Sequence, residues 1–537
     1  MKPLGKTRLS SAVMLVVLFV AIGKILGFAK QILIANYFGA SLETDILNLS
    51  QELIMNIDFV ISQMILTGFT AIYIHALKRN EQDANKFITN TLKIFVVIAL
   101  ALTATILICA PWIAKILAPT YDTESSAKLT LYLRIYSACL IFFVFTGVLS
   151  GILNAKEKFV LRELTTLIQN ATIILLIVLL HGPLGINSLI VAFFGYTVIT
   201  TIYLAFASHK DWKVDFKSFR ENPFKSQDIK DLLKMLAPLL IGYSMIYLNQ
   251  QVDKIVVSGL EEGMVSDLSY ASVLSNLVVA LIASLCTIIF TKLTAFISEN
   301  DFHKAGSFAV KSTSLLITVF LPISILCILC APDIVTIAFK RGEFDDNASL
   351  FTAYALMGYA LLFVFYIIKS IFARLQYGGK STLWPMINSC IGITINIGLS
   401  LWFGKFAGLQ PEWALFSVAA ATSASEFVSA ILNIITAKKK IKEVPLKNFL
   451  PYIPFWIVGG AACGFLAFFG NTWFKGFSSW ARFPLIVVIG FAAYAVIISP
   501  VLLVLFKQRK ANKVEKSTEA PKTEEIENKE SQEEIHD

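Results

Sequence analysis

Long apolar segments, each about as long as a bilayer is thick, follow one another along most of this chain, and short polar turns separate them. They lie near residues 9–38, 43–77, 86–118, 128–154, 160–181, 185–208, 231–259, 264–298, 304–338, 348–376, 382–404, 412–437, 450–474 and 481–506. About 20 apolar residues in a helix cross ~30 Å of hydrocarbon. The pattern therefore predicts an all-α polytopic membrane protein with about 14 transmembrane helices, whereas a β-barrel would show shorter, alternating segments. The longest polar interruption, 209–230, is basic and divides the first six helices from the next six. The expected organisation is an N-terminal six-helix lobe (1–208), a cytoplasmic basic linker (209–230), a C-terminal six-helix lobe (231–437) and two additional helices (438–506). Residues 507–537 are rich in Lys and Glu with no aromatic residue and read as a disordered cytoplasmic tail.

The two six-helix blocks resemble each other. Cys109-Ala110-Pro111 recurs as Cys330-Ala331-Pro332, each at the end of the third helix of its block. Upstream, the run from Gly39 to Asp45 aligns with that from Glu261 to Asp267, so the features repeat at an offset of roughly 221–222 residues. With an even number of helices per block, the copies are expected to be parallel repeats about an axis along the membrane normal. That arrangement places a substrate site between the lobes of a transporter.

Composition agrees with this reading. Of 537 residues, 56% are hydrophobic and only 15% charged. The net charge of +9 is unevenly placed. Basic residues cluster in alternate loops (Lys78, Arg79 and Lys86; Lys156, Lys158 and Arg162; Lys438 to Lys447), while the intervening loops carry Asp122 and Glu124, Glu261 and Glu262, or Glu343 and Asp345. This positive-inside pattern puts both termini in the cytoplasm and assigns the excess charge to orientation rather than to nucleic acid. The first segment is too long for a signal-peptide core and lacks a small-residue cleavage site, so it is expected to remain as a helix. Seven scattered cysteines and five scattered histidines form no metal or catalytic grouping. Without a phosphate-cradling loop or nucleophile motif, the chain reads as a transporter and not an enzyme, driven by an ion gradient, the membrane potential or the substrate's own gradient.

Charges inside the apolar segments carry the functional signal. Lys24 and Lys30 lie in the first helix, where a cation costs at least ~2.5–3.5 kcal/mol unless it faces water or a partner. If helices one and two form a tight hairpin turning near Gly39 to Leu42, Lys30 lies at the depth of Glu52 and Lys24 at that of Asp58. Asp45, Glu52, Asn56 and Gln63 fall within ~20° of one line on the second helix, a polar stripe. Two readings stay open: structural ion pairs that pin the hairpin, or a hydrated cavity in which the lysines meet an anionic substrate beside Glu52, Asn56 and Asp58. The seventh helix carries Asn249, Gln250, Gln251, Asp253 and Lys254, and Glu426 lies deep in the twelfth, one turn after Thr422. A carboxylate at that depth must be protonated, paired or bound to a cation, which makes Glu426 a candidate for ion or proton coupling.

At these residues the chain resembles a known family. The run from Gly23 through Lys24, Lys30 and Gly39 to Ala40, followed by Thr44-Asp45, resembles the first-helix signature of the MurJ/MviN lipid II flippases. These belong to the multidrug/oligosaccharidyl-lipid/polysaccharide exporter superfamily. Gly151-Ile-Leu-Asn-Ala155, Arg341-Gly342-Glu-Phe344 and Asn396-Ile-Gly-Leu399 are further matches, and the resemblance runs from about residue 10 to 437.

The resemblance implies a monomer in the bacterial cell membrane that moves an undecaprenyl-linked peptidoglycan precursor, lipid II, from the inner to the outer leaflet by alternating access. It implies that Lys24 and Lys30 line the cavity and meet the diphosphate and sugar, and that the last two helices form a groove for the polyprenyl tail. It also implies a sodium site at Asp253, Asn396, Ser400, Val418 and Thr422, with Ser400 where an acid or amide is usual. No other cofactor is expected, and membrane lipids are the remaining partners. The departures bear on the substrate. The family usually has arginines at Lys24 and Lys30, and lysine lacks the bidentate fork suited to diphosphate. The second helix carries Asp58 where a cavity arginine is usual, and Ala271-Ser272-Val273 replaces an Ala-Asp-Arg in the eighth. A flippase for another undecaprenyl-linked unit is therefore the alternative. A cation-coupled multidrug antiporter, usually of twelve helices, and a non-transporting scaffold fit less well.

Overall fold

The computed structural model describes residues 6–379 and 381–500. The tail expected at 507–537 and both chain ends, whose cytoplasmic side the charge pattern predicts, lie outside the described residues. Among the described residues there is no strand. The helices that span or nearly span a bilayer are α1 (Lys6–Phe38), α2 (Leu42–Arg79), α3 (Glu81–Leu117), α4 (Thr123–Ala155), α5 (Phe159–Leu184) and α6 (Asn187–Ser208). After two short helical turns in the linker come α7 (Gln227–Val257), α8 (Met264–Ser298), α9 (Phe302–Leu329), α10 (Asp346–Gly378), α11 (Leu383–Phe406), α12 (Pro411–Lys440), α13 (Leu446–Trp473) and α14 (Ser479–Pro500).

Thirteen of these are long and apolar enough to cross a membrane by length and composition. The fourteenth, α7, is 31 residues long, which is also enough to cross a bilayer. Its polar residues Gln251, Asp253 and Lys254 are buried against other helices, which is how a polar helix survives at membrane depth. The apolar side chains left exposed, such as Ile25, Ile108, Phe206 and Val496, are distributed over the helix surfaces as lipid contact requires.

α1 to α6 pack among themselves, as do α7 to α12, and α13 lies along α9. In a bilayer such packing depends on close approach and interhelical hydrogen bonds rather than on the hydrophobic effect. Gly358 of α10 shows this: a Cβ there would sit 2.5 Å from the carbonyl oxygen of Phe416 in α12, and the Ser423 hydroxyl donates to the Gly358 carbonyl at 2.7 Å. The last pair is fastened by Arg482 of α14, whose guanidinium grips both oxygens of buried Asp333 through Nε and Nη2. Trp456 of α13 adds an indole bond to Thr318 of α9 at 2.8 Å. The two Cys-Ala-Pro copies behave differently. Pro111 sits inside α3, whereas Pro332 starts a separate short helix, Ala331–Ala338.

The hairpin expected of α1 and α2 does not form. α1 packs along α5, with no comparable packing against α2. Gly23 and Gly27 are the reason: Gly23 meets Thr166, and Gly27 meets Asn170, which donates to the Gly23 carbonyl at 3.2 Å. These glycines serve close approach, and α1 runs unbroken through both. Gly39, at φ +59°, lets the chain leave α1 beside the backbone of Glu343, where a Cβ would be 2.3 Å from a carbonyl oxygen.

Candidate functional site

A cavity of about 1080 Å³ lies between the two six-helix groups. Its walls hold four cations, Lys30, Lys254, Lys369 and Arg374, and three carboxylates, Glu52, Asp253 and Glu426. It reaches, along α8 and α10, toward the end that the charge pattern predicts to be inner, where Phe290 and Tyr377 line it.

At the opposite end, which the charge pattern predicts to be outer, the two groups are sewn together by α2. Asp45 accepts from the backbone N–H groups of Gly263 (2.8 Å) and Ser266 (2.7 Å) and from the Ser266 hydroxyl (2.6 Å), capping the start of α8 from the other lobe. The carboxylate thereby satisfies orphan donors of a helix N-terminus and complements its dipole. Asn48 donates to Ser266 at 3.0 Å, Glu52 forms an ion pair with Lys254 of α7, and Asn56 donates to Gln251 at 3.3 Å. Lys254 also donates to Ser269 at 2.8 Å, and Tyr270 donates to the Gly39 carbonyl at 3.0 Å. The polar stripe of α2 is thus mainly an interlobe seam that closes the outer end. Replacing Asp45 by alanine strands those donors, so hydrogen exchange at residues 263–270 should rise while the rest of α8 stays protected; unchanged exchange there would remove Asp45 from the seam.

Neither ion pair considered for α1 is present, because α1 faces α5 instead of α2. Glu52 is taken by Lys254, and Asp58 accepts from Ser62 at 2.8 Å. Asp58 does not line the cavity; it lies inside the N-terminal lobe, near enough to Tyr196 and Cys139 to act on both electrostatically. Lys30 lines the cavity and has no carboxylate within 4 Å among the described residues. Lys24 is exposed and is not a lining residue. It shares a helix face with lining Gln31, about 20° away and two turns nearer the Gly39 end of α1.

The sequence-identified group around Asp253 converges in space. Its carboxylate, 4% exposed, accepts from Asn396 Nδ2 (3.0 and 3.2 Å), Ser400 Oγ (2.8 Å) and Thr422 Oγ1 (3.2 Å). Val418 is fully buried one turn before Thr422; its aliphatic side chain offers no ligand, which leaves only its main-chain carbonyl. The amide oxygen of Asn396 is buried with no hydrogen-bond partner. A carboxylate, two hydroxyls and an orphaned amide oxygen are hard oxygen donors that together carry one negative charge, and they fit a small monovalent cation. Ser400 fills the place of the usual acid or amide with an oxygen that already touches the carboxylate.

Glu426 belongs to a different group. Lys369 of α10 donates to its Oε1 at 2.6 Å, while Oε2 is buried without a partner. Of the three solutions open to a carboxylate at that depth, pairing is the one adopted. Lys369 escaped sequence reasoning, although a lysine in the apolar run of α10 was a visible signal. Lys254, which could equally have snorkelled to an interface, is instead buried and paired. Among the described residues no three His, Cys, Asp or Glu residues cluster in a way that would hold a metal ion.

Two six-helix groups around a charged central cavity, sealed at one end by a polar seam, define an alternating-access membrane transporter. A profile of the family described as lipid II flippase MurJ matches residues 34–483. The chain belongs to that family. It is 24% identical over 408 residues to the probable lipid II flippase MurJ of Borreliella burgdorferi, covering 74% of this chain and 78% of that protein. It is 25% identical over 390 residues to the Rickettsia prowazekii protein of the same description, covering 71% and 75%. In three dimensions it is similar to a lipid II flippase MurJ in an inward closed conformation, with TM-score 0.77 and 21% identity over 92% of this chain and all of that one. A multidrug resistance MATE transporter in an inward-facing conformation shares the fold at TM-score 0.67 and 14% identity, over 79% of this chain and 95% of the other.

Proposed function

We propose that this multi-pass membrane protein carries lipid II from the inner to the outer leaflet of the bacterial inner membrane, as a monomer with both termini in the cytoplasm. The observation that carries the reading is the charged cavity closed at its outer end by the α2–α7–α8 seam, in a chain of this family. A diphosphate-linked glycan needs cations and hydroxyls in a wet cavity, while its polyprenyl chain stays in lipid. Breaking the seam and closing the inner end would expose the same cavity to the other side, and substrate contacts that differ between the two states would bias that equilibrium. Depleting the protein should trap lipid II on the cytoplasmic leaflet. Unchanged lipid II with another lipid-linked precursor trapped would favour the second reading, a flippase for a different glycan unit. That reading is supported by Val273 on the cavity wall where an arginine is usual and by cavity cations on α10.

For coupling we propose sodium at Asp253, with Asn396, Ser400, Thr422 and the Val418 carbonyl as the other ligands. The cation would neutralise the buried carboxylate and satisfy the orphaned Asn396 oxygen. These residues sit on α7, α11 and α12, so holding them together stiffens one lobe. Sodium should raise the unfolding temperature of the purified protein by about 2–5 °C over potassium at equal ionic strength, and Asp253→Asn should erase that difference. Equal stability in the two salts would sink the site. Persistence of the sodium effect in Asp253→Asn with loss in Glu426→Gln would move it to α12.

A further inference from the structure

The cavity cations differ in how far carboxylates already neutralise them. Lys254 is committed to Glu52 in the seam. Lys369 is held by Glu426, whose second oxygen finds no partner. Arg374 has no carboxylate within 4 Å among the described residues, and its guanidinium makes one long bond, 3.3 Å to the Ser370 carbonyl a turn back. Tyr366, Lys369, Ser370, Arg374 and Tyr377 all line the cavity. Their spacing puts them along one face of α10, running toward its inner end.

We propose that Arg374 and Lys369 form a diphosphate subsite on the inner half of α10, with Glu426 as the counter-ion that competes with phosphate for Lys369. The subsite rests on the lipid-linked-glycan reading and places first capture of the headgroup on the C-terminal lobe, not on α1. The two cations are offset by about 7.5 Å along the helix axis and about 140° around it, and both line the same cavity, so their long side chains can converge on the two phosphates of one diphosphate. Arg374 supplies the planar fork that suits phosphate oxygens and that the lysines of α1 lack. A half-satisfied carboxylate is an exchangeable partner: phosphate offers Lys369 a stronger acceptor, and until then Glu426 compensates the buried charge of the lysine. Tyr366 and Tyr377 line the cavity on either side of the cations along α10, aromatic side chains of the kind that pack against sugars.

The test is equilibrium binding of farnesyl diphosphate and of lipid II to the full chain in lipid nanodiscs. Arg374→Gln and Lys369→Gln should each weaken farnesyl diphosphate binding about tenfold. Glu426→Gln should tighten it about threefold or more by freeing Lys369, and Lys369→Gln with Glu426→Gln should behave like Lys369→Gln alone. Arg374→Lys, which keeps the charge and loses the fork, should fall between wild type and Arg374→Gln, and it covers the case in which Arg374→Gln does not fold. Wild-type affinity in both Gln variants, or weaker binding in Glu426→Gln, would overturn the subsite. Lipid II binding that ignores all these substitutions would overturn the subsite and leave the flippase reading intact. Farnesyl diphosphate binding through Arg374 without any lipid II binding would do the reverse.

Discussion

Replacing Lys30 by glutamine should lower lipid II translocation by about 10- to 100-fold, while Lys24→Gln should cost much less. Among the described residues Lys30 is the single cation that the N-terminal lobe contributes to the cavity wall, and no carboxylate within 4 Å neutralises it. A charge-assisted bond to a substrate phosphate contributes about 1.5–3 kcal/mol, which is the stated range when it is lost from the transition state for translocation. Lys24 lies about 120° around α1 from Lys30, exposed and outside the lining. Lys30→Arg should keep most of the activity, because the charge is retained and a fork is gained. Translocation into proteoliposomes reads the effect directly. Equal losses at the two positions would place Lys24 in the site as well; full activity in Lys30→Gln would take the α1 lysine out of it.

Lys254→Ala should shift the protein away from its outer-closed state, and Glu52→Ala in the same chain should return much of the loss. Removing one partner of a buried pair costs about 3–5 kcal/mol because the remaining charge is left uncompensated. Here Glu52 retains 32% side-chain exposure, so solvent screening brings the expectation to about 1–3 kcal/mol, or roughly a 5- to 150-fold change in the ratio of states. The double variant leaves no bare charge, though it also forfeits the Lys254–Ser269 bond. Spin labels at Glu124 and Glu262, exposed on opposite lobes at the outer end, should report a longer distance in Lys254→Ala and a partial return in the double variant. An unchanged distance in the single variant would mean that Asp45 and Asn48 close the seam unaided.

The lysines of α1 were legible as functional from their depth alone, since an apolar run gives a cation no local explanation. Their partners were not. Matching depths on α1 and α2 suggested ion pairs, but depth along two helices says nothing about whether those helices touch. Gly23 and Gly27 directed α1 onto α5 and left Glu52 to Lys254. The stripe on α2 was visible as a period, yet whether it faced water or a second lobe depended on α7 and α8, two hundred residues away. The Asp253 group could be carried over from the family pattern residue by residue. The Lys369–Glu426 pair had no such pattern and appeared only when α10 and α12 packed.

What this chain determined by itself is the number and length of its helices, the parallel repeat, the family and the residues too polar for lipid, because each of these is a property of a local run set against a 30 Å slab. Which polar residue answers which was decided by tertiary structure. Helix contacts in a membrane are chosen by small residues and shape over the whole bundle, so Asp45 came to cap α8, Lys254 to seal Glu52, and Lys30 and Arg374 to face the cavity without a carboxylate.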